Sequence, residues 1–193
     1  METFFNHLAL QIWGGGFYTL NKFFLSKSER TVGDKRRLWR IWSWIVYIVG
    51  VPAWAIIFII ERDWIATALQ FGGTPSLFLG LAIAVRGKGE TPKWLDRIAI
   101  TTVAIGLCIS VYDFGGINTL SQTLELLIVT SSLLGVYLIA KESASGYLWF
   151  LLTHTSSLAL LGMQGYWILA LQQIISFAFI FDAYRNQKRR LKL

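Results

Sequence analysis

Seven apolar stretches, separated by short polar connections, run along almost the whole chain. Most of them are long enough to cross a hydrocarbon layer about 30 Å thick as a helix. They cover residues 4–25, 38–60, 64–85, 97–112, 119–140, 147–163 and 166–184. The pattern predicts an all-α membrane protein, with seven transmembrane helices in a single transmembrane domain that comprises residues 1–193.

The Lys and Arg residues alternate between the connections. Of 18 such residues, 17 lie in or beside the first, third and fifth connections or in the segment after the last stretch, and Arg62 is the exception. Cytoplasmic loops of membrane proteins collect Lys and Arg. The alternation therefore predicts an external N-terminus and a basic cytoplasmic tail over 185–193. The expected location is a plasma membrane, such as the inner membrane of a bacterium.

Composition narrows the class further. The chain is 54% hydrophobic, above the 45–50% typical of soluble domains. Its net charge of +7 does not indicate nucleic-acid binding, because the basic residues flank apolar stretches and form no single patch. They fit contact with anionic lipid headgroups. The start Met1–His7 has neither a basic segment nor a small-residue cleavage site, so we expect the first stretch to be retained.

An internal repeat relates the third and seventh stretches, which align without gaps at an offset of 103 residues. The matched pairs are Trp64 with Trp167, Ile65 with Ile168, Gln70 with Gln173, Phe78 with Phe181, and Arg86 with Arg189. The implied plan is a first three-helix repeat over 4–85, a linker helix over 97–112 and a second repeat over 119–184. One linker helix restores the direction of the second copy, so the repeats are parallel. In transporters of this plan the solute site lies between the halves.

Two glutamines occupy matching positions inside the repeat. Polar groups at membrane depth are costly and require a partner or a cavity. Gln70 and Gln173 would face the central axis at similar depth, where their amides could bind a neutral or zwitterionic polar solute. The alternative is that each amide bonds a neighbouring helix and holds the bundle together. The sequence leaves both interpretations open.

The remaining polar candidates lie on the second repeat. Thr153 and His154 fall in the most polar stretch, which suggests that this stretch lines a pathway. The alternative for His154 is a packed, hydrogen-bonded residue. Glu125 is either a partner for a positively charged ring or a water-facing carboxylate. Cys108 is the only cysteine and no second histidine is close in sequence, so we expect no metal site.

Aromatic and helix-breaking residues complete the set of candidates. Planar rings could stack on Trp44, Trp54 and Trp149. Proline kinks a helix, and glycine permits close packing or bending. The predicted hinge residues are Pro52, Gly72, Gly73 and Pro75. No catalytic constellation is evident, so we predict that the protein is not an enzyme and uses no cofactor.

Several motifs resemble the PnuC-type vitamin transporters. The similar segments are Trp44 at the head of an apolar run, Glu61-Arg62-Asp63-Trp64, Ala68-Leu69-Gln70, Gly146-Tyr147-Leu148-Trp149, Gln164-Gly165-Tyr166-Trp167 and Ala183-Tyr184-Arg185. The resemblance covers about residues 38–190. It implies a 3+1+3 fold shared with SWEET sugar transporters and transport of nicotinamide riboside or a related B vitamin.

The chain departs from the family pattern among residues expected to hold the solute. Gly80-Leu81-Ala82-Ile83-Ala84 replaces a Gly-Trp-x-x-Trp motif, and Ser43 replaces an Asn. The resemblance therefore supports a passive facilitator of a small, ring-containing polar solute more than any particular solute. The alternative function is a non-transporting membrane subunit of a larger complex. A homo-oligomer is compatible with either function.

Overall fold

The described part of the chain folds into seven α-helices. The structure is a computed structural model that describes residues 8–60, 62, 64–87, 93–113 and 119–190 and contains no strand in those ranges. The helices are α1 (Leu8–Arg30), α2 (Gly33–Ile60), α3 (Trp64–Arg86), α4 (Lys93–Asp113), α5 (Leu120–Ala140), α6 (Ser145–Met163) and α7 (Trp167–Arg190). The prediction of an all-α chain with seven helices is confirmed.

The first connection is much shorter than the sequence predicted. The predicted loop over 26–37 is mostly helical, because α1 continues to Arg30 and α2 begins at Gly33. Gly33 has a positive φ of 60°, a conformation that glycine adopts without steric cost, and this permits the tight reversal. Hydropathy marked where the apolar surface ends, whereas the helix extends for another turn through charged residues.

Six helices form a closed ring in the order α1, α2, α3, α5, α6, α7, and α7 packs back against α1. The seventh helix, α4, lies outside this ring and packs against α3 and α5. The interfaces α3–α5 and α7–α1 therefore divide the ring into two halves. Each half of the ring is a run of three consecutive helices.

Successive helices run in opposite directions, so the connections alternate between two ends of the bundle. Between α1 and α2, for example, the Asn21 amide donates to the Ser43 carbonyl at 2.9 Å, and the Trp13 indole donates to the Val49 carbonyl at 3.1 Å. The α1–α2, α3–α4 and α5–α6 connections and the end of α7 thus share one end, here called the basic end. Arg62 lies in the α2–α3 connection at the opposite end.

A buried charge network ties the helices together at the basic end. The Glu29 carboxylate is fully buried and lies 2.8 Å from the Arg40 guanidinium. It also accepts a hydrogen bond from the Tyr147 hydroxyl at 2.9 Å and lies 3.0 Å from Arg190. Arg40 contacts Glu142 at 3.4 Å as well. The network joins α1, α2, α6, α7 and the segment after α5, and so closes this end.

The interior of the bundle contains polar and charged side chains beside its apolar core. Large apolar side chains are exposed on the outer faces, including Ile12 (65%), Phe71 (61%) and Leu171 (57%). Where such side chains form a patch, the patch marks contact with another molecule or with lipid. Within the described residues, α2 and α5 are long and apolar enough to cross a membrane.

Candidate functional site

A central cavity lies within the ring of helices and has two neighbouring lobes. The first lobe has a volume of about 260 Å³ and the second about 150 Å³. Four residues line both lobes: Tyr18 of α1, Tyr47 of α2, Gln70 of α3 and Gln173 of α7. Ligand sites commonly combine an apolar wall with a few convergent polar groups. The four shared residues provide such a combination at the middle of the bundle.

The first lobe has four aromatic residues in its wall, Tyr18, Tyr47, Trp54 and Phe58. Trp54 lines it and stacks on Phe58, with ring centroids 5.8 Å apart and ring planes inclined by 23°. Gly14 of α1 faces the same indole, and a Cβ at that position would lie 2.7 Å from the Trp54 Nε1 atom. The absence of a side chain at Gly14 therefore allows the indole to occupy its place in the wall. A planar solute could stack on this surface.

The second lobe is lined by hydroxyl groups of the second half of the chain. Thr153 and Ser132 belong to its wall, and the Thr153 hydroxyl lies 2.8 Å from that of Ser131. Thr153 also donates to the Trp149 carbonyl at 3.1 Å. These helix-backed hydroxyls hold fixed positions. The lobe can therefore present hydrogen-bonding groups to a polar solute without placing a charge in its wall.

His154 holds the Gln173 amide in position. The His154 Nδ1 atom lies 2.8 Å from the Gln173 Oε1 atom, a spacing that an Nδ1–H donor satisfies. The imidazole is fully buried, and its Nε2 atom has no hydrogen-bond partner among the described residues. The bond engages the acceptor oxygen of Gln173, which leaves the amide NH₂ group as a donor at the cavity wall.

The structure brings together some of the predicted site residues and separates others. Gln70, Gln173, Trp54 and Thr153 line the cavity, and His154 stands behind Gln173. The other three candidates, Trp44, Trp149 and Glu125, line neither lobe. Trp44 is buried against α3, where a Cβ on Gly80 would overlap its ring. Its role is helix packing.

The predicted hinge residues lie within continuous helices. Pro52 is inside α2 and Pro75 is inside α3, and neither helix is interrupted. Gly72 packs against α4, because a Cβ there would lie 3.1 Å from the Thr102 carbonyl oxygen. Gly73 faces Leu133 of α5. Bending at these positions remains a prediction.

Sequence reasoning missed the buried cation beside the cavity. Lys22 was assigned to the basic flank of the first apolar stretch, whereas its side chain is fully buried. Its Nζ atom lies 4.0 Å from the ring centroid of Phe150, 4.1 Å from that of Tyr18 and 4.9 Å from that of Tyr47. Its position inside the apolar stretch, one turn before Leu25, was the available signal.

Comparisons with protein-family models, with curated proteins and with solved structures found no match to this chain. Within the described part of the chain, no group of three or more His, Cys, Asp and Glu side chains could hold a metal ion. The cavity instead offers aromatic faces, amides and hydroxyls, groups that can stack on and hydrogen-bond to a small organic molecule.

Proposed function

We propose that this protein is an integral membrane facilitator for a small, polar, ring-containing solute of vitamin or nucleoside type. The observation that carries the proposal is the central cavity, to which Tyr18, Tyr47, Gln70 and Gln173 contribute from four different helices. The solute would stack on Trp54 and bond to the glutamine amides. The protein performs no chemical step on it.

The polarity of the bundle supports placement in a membrane as seven spans. Charged and amide side chains such as Lys22, Asn21 and Gln187 are buried, while apolar side chains cover the outer faces. Lipid favours this arrangement, because polar groups at membrane depth must face the bundle interior. All described Lys and Arg residues except Arg62 lie toward the basic end, which would face the cytoplasm.

Equivalent contacts in the two halves support the parallel 3+1+3 plan. Asn21 of α1 contacts Ser43 of α2, and Gly135 of α5 closely approaches Gly146 of α6. These positions are related by offsets of 114 residues for α1 and α5 and 103 for α2 and α6. The same two offsets relate the contact between Phe17 and Gly50 to that between Ser131 and Thr153.

The cavity would open to one side of the membrane at a time. Its first lobe extends to Phe58, Leu161 and Leu169, which are near the helix ends opposite the basic end. The buried charge network around Glu29 closes the basic end. Rocking of one half of the ring against the other would exchange these states, as in other transporters built from repeats. Transport would be passive.

Uptake into proteoliposomes tests the proposal. Radiolabelled B vitamins and nucleosides should enter vesicles that contain the wild-type protein, and the rate should not depend on a proton or sodium gradient. Gln173→Leu should lower uptake about tenfold or more, because it removes a solute hydrogen bond and leaves His154 unpaired. Thr155→Val is the matched control, since Thr155 is exposed on α6 and bonds the Leu151 carbonyl.

Two results would oppose the proposal. If none of the B vitamins and nucleosides enters the vesicles, a non-transporting membrane subunit is favoured, and the protein should then co-purify with a partner protein. Equal uptake by the Gln173 and Thr155 variants would show that the described cavity is not the transport site.

A further inference from the structure

Lys22 is a buried cation without an acidic partner in the described structure. Its side chain is fully buried in α1, and its Nζ atom has no hydrogen-bond partner among the described residues. The contacts it does make are to the faces of Tyr18, Tyr47 and Phe150, at 4.0–4.9 Å from the ring centroids. A buried ammonium in an aromatic box of this kind is stabilised by the rings but retains an unmatched charge.

The nearby carboxylate on the same helix is already occupied. Glu29 lies two turns further along α1, and Arg40, Arg190 and the Tyr147 hydroxyl surround it at 2.8–3.0 Å. It is therefore held at the basic end as part of the buried charge network. An ion pair with a carboxylate of the protein does not explain why Lys22 is buried.

The position of Lys22 indicates what could neutralise it. Two of the rings that contact its Nζ atom, Tyr18 and Tyr47, also line both lobes of the cavity. The ammonium and the cavity therefore contact the same two tyrosines. The His154 ring, which stands behind Gln173, packs against the same box, 6.1 Å from the ring of Tyr18. An ionisable group inside a membrane bundle ordinarily marks a functional site.

We propose that Lys22 is the binding residue for an anionic group on the solute. The solute class is then a small ring-bearing anion, with its ring on the Trp54 side of the cavity and its carboxylate or phosphate directed toward Lys22. This inference rests on the proposed transport function and narrows it. It disfavours a permanently cationic ring such as that of nicotinamide riboside, which would meet the ammonium without a counter-charge.

A lysine is able to perform this task. Its compact point charge is a good partner for carboxylate and phosphate alike, and its flexible stem can follow the anion as the halves of the ring move. The second half offers no equivalent charge, because Val136 occupies the position related to Lys22 by the 114-residue offset. The charge thus marks one side of an otherwise pseudo-symmetric cavity and would orient the solute.

Binding of matched compounds to the purified protein tests the inference. Nicotinate and nicotinamide share a ring, and the first has a carboxylate where the second has an amide. Pyridoxine 5′-phosphate and pyridoxine also share a ring, and the first has a phosphate ester where the second has a hydroxyl. Titration of the tryptophan fluorescence should show about a tenfold preference for at least one anion over its neutral partner, as expected for one charge-assisted bond. The pair that shows the preference distinguishes a carboxylate from a phosphate solute.

Three variants assign the preference to Lys22. Lys22→Met should abolish it while binding of the neutral partner persists, and Lys22→Arg should retain most of it. Lys27→Met is the control, because Lys27 is an exposed cation on the same helix at the basic end. If Lys22→Met does not fold, as judged by size-exclusion chromatography, the test is the anion preference of Lys22→Arg compared with that of the wild type. A folded Lys22→Arg protein without any anion preference would then oppose the assignment.

The outcomes separate the two proposals. Binding of neutral ring compounds without any anion preference, or a preference that Lys22→Met retains, overturns the role of Lys22 and leaves the transport function standing. Binding of none of the four compounds, together with no uptake of the wider panel, overturns both. A preference lost in Lys22→Met and kept in Lys27→Met supports the assignment.

Discussion

The buried charge network predicts that Glu29→Gln destabilises the protein far more than a similar change nearby. Glu29 is fully buried and contacts Arg40 at 2.8 Å and Arg190 at 3.0 Å. The amide of glutamine preserves the shape of the side chain but removes its charge. Arg40 is itself buried, with 2% of its side chain exposed, and would lose its closest anion.

The magnitude follows from what Arg40 retains. Breaking a buried ion pair by removing one partner costs about 3–5 kcal/mol. Arg40 keeps Glu142 at 3.4 Å and the Ile139 carbonyl at 2.5 Å, so we expect the lower part of that range, about 3 kcal/mol. For a chain of this size 1 kcal/mol corresponds to about 2–4 °C in Tm, which gives a decrease of about 6–12 °C for Glu29→Gln.

Glu142→Gln provides the matched comparison. The Glu142 side chain is 26% exposed and lies 3.4 Å from Arg40 and 3.5 Å from Arg36, so the same substitution should cost about 1 kcal/mol, or about 2–4 °C. Thermal unfolding in detergent, followed by tryptophan fluorescence, measures both. A Tm for Glu29→Gln within 2 °C of wild type, or a larger loss in Glu142→Gln, would refute the assignment of Glu29 as the centre of the network.

Two further predictions concern stability. Gly80→Ala should cost about 1–3 kcal/mol in thermal unfolding, because its Cβ would overlap the buried Trp44 ring, whereas Gly162→Ala meets open space and should not destabilise the protein; equal effects would contradict this packing. The hydrogen bond from Lys141 lowers the pKa of Asp96 in the folded protein. Their interaction therefore stabilises the fold fully above the unfolded-state pKa of Asp96, about 3.9. This stabilisation is lost as the pH falls through the lower folded-state pKa. The decrease in Tm on acidification should therefore be smaller in Asp96→Asn than in the wild type. An equal decrease in both proteins would count against the ion pair between Asp96 and Lys141.

The sequence predicted the helices well because their apolar surfaces are continuous. The seven stretches match the observed helices closely, with the clearest differences at the basic end, where α1 extends to Arg30, α2 begins at Gly33 and α7 extends to Arg190. Charged residues there remain helical because Glu29 and Arg30 find partners on other helices, Arg40 and Asp182. Hydropathy contains no information about such partners, so it ends the helix too early.

The internal repeat and local polarity predicted most of the candidate residues that line the cavity. The 103-residue offset identified Gln70 and Gln173, and both line the cavity. Trp44 could not be separated from Trp54 in this way, because its packing partner Gly80 is 36 residues away. Lys22 was overlooked because the tendency of Lys and Arg to collect in cytoplasmic loops already explained its position. Its burial, in contrast, depends on rings from three helices.

Cysteine labelling in sealed membranes tests most directly whether a water-filled solute cavity lies inside a lipid-embedded ring. In a Cys108→Ser background, Gln70→Cys should react with a membrane-impermeant maleimide added from the side opposite the basic end, and a bound solute should protect it. Leu171→Cys, at a position 57% exposed on the outer face, should stay unlabelled because a thiol surrounded by lipid does not ionise. Rapid labelling at Leu171→Cys with none at Gln70→Cys would contradict both the membrane placement and the cavity.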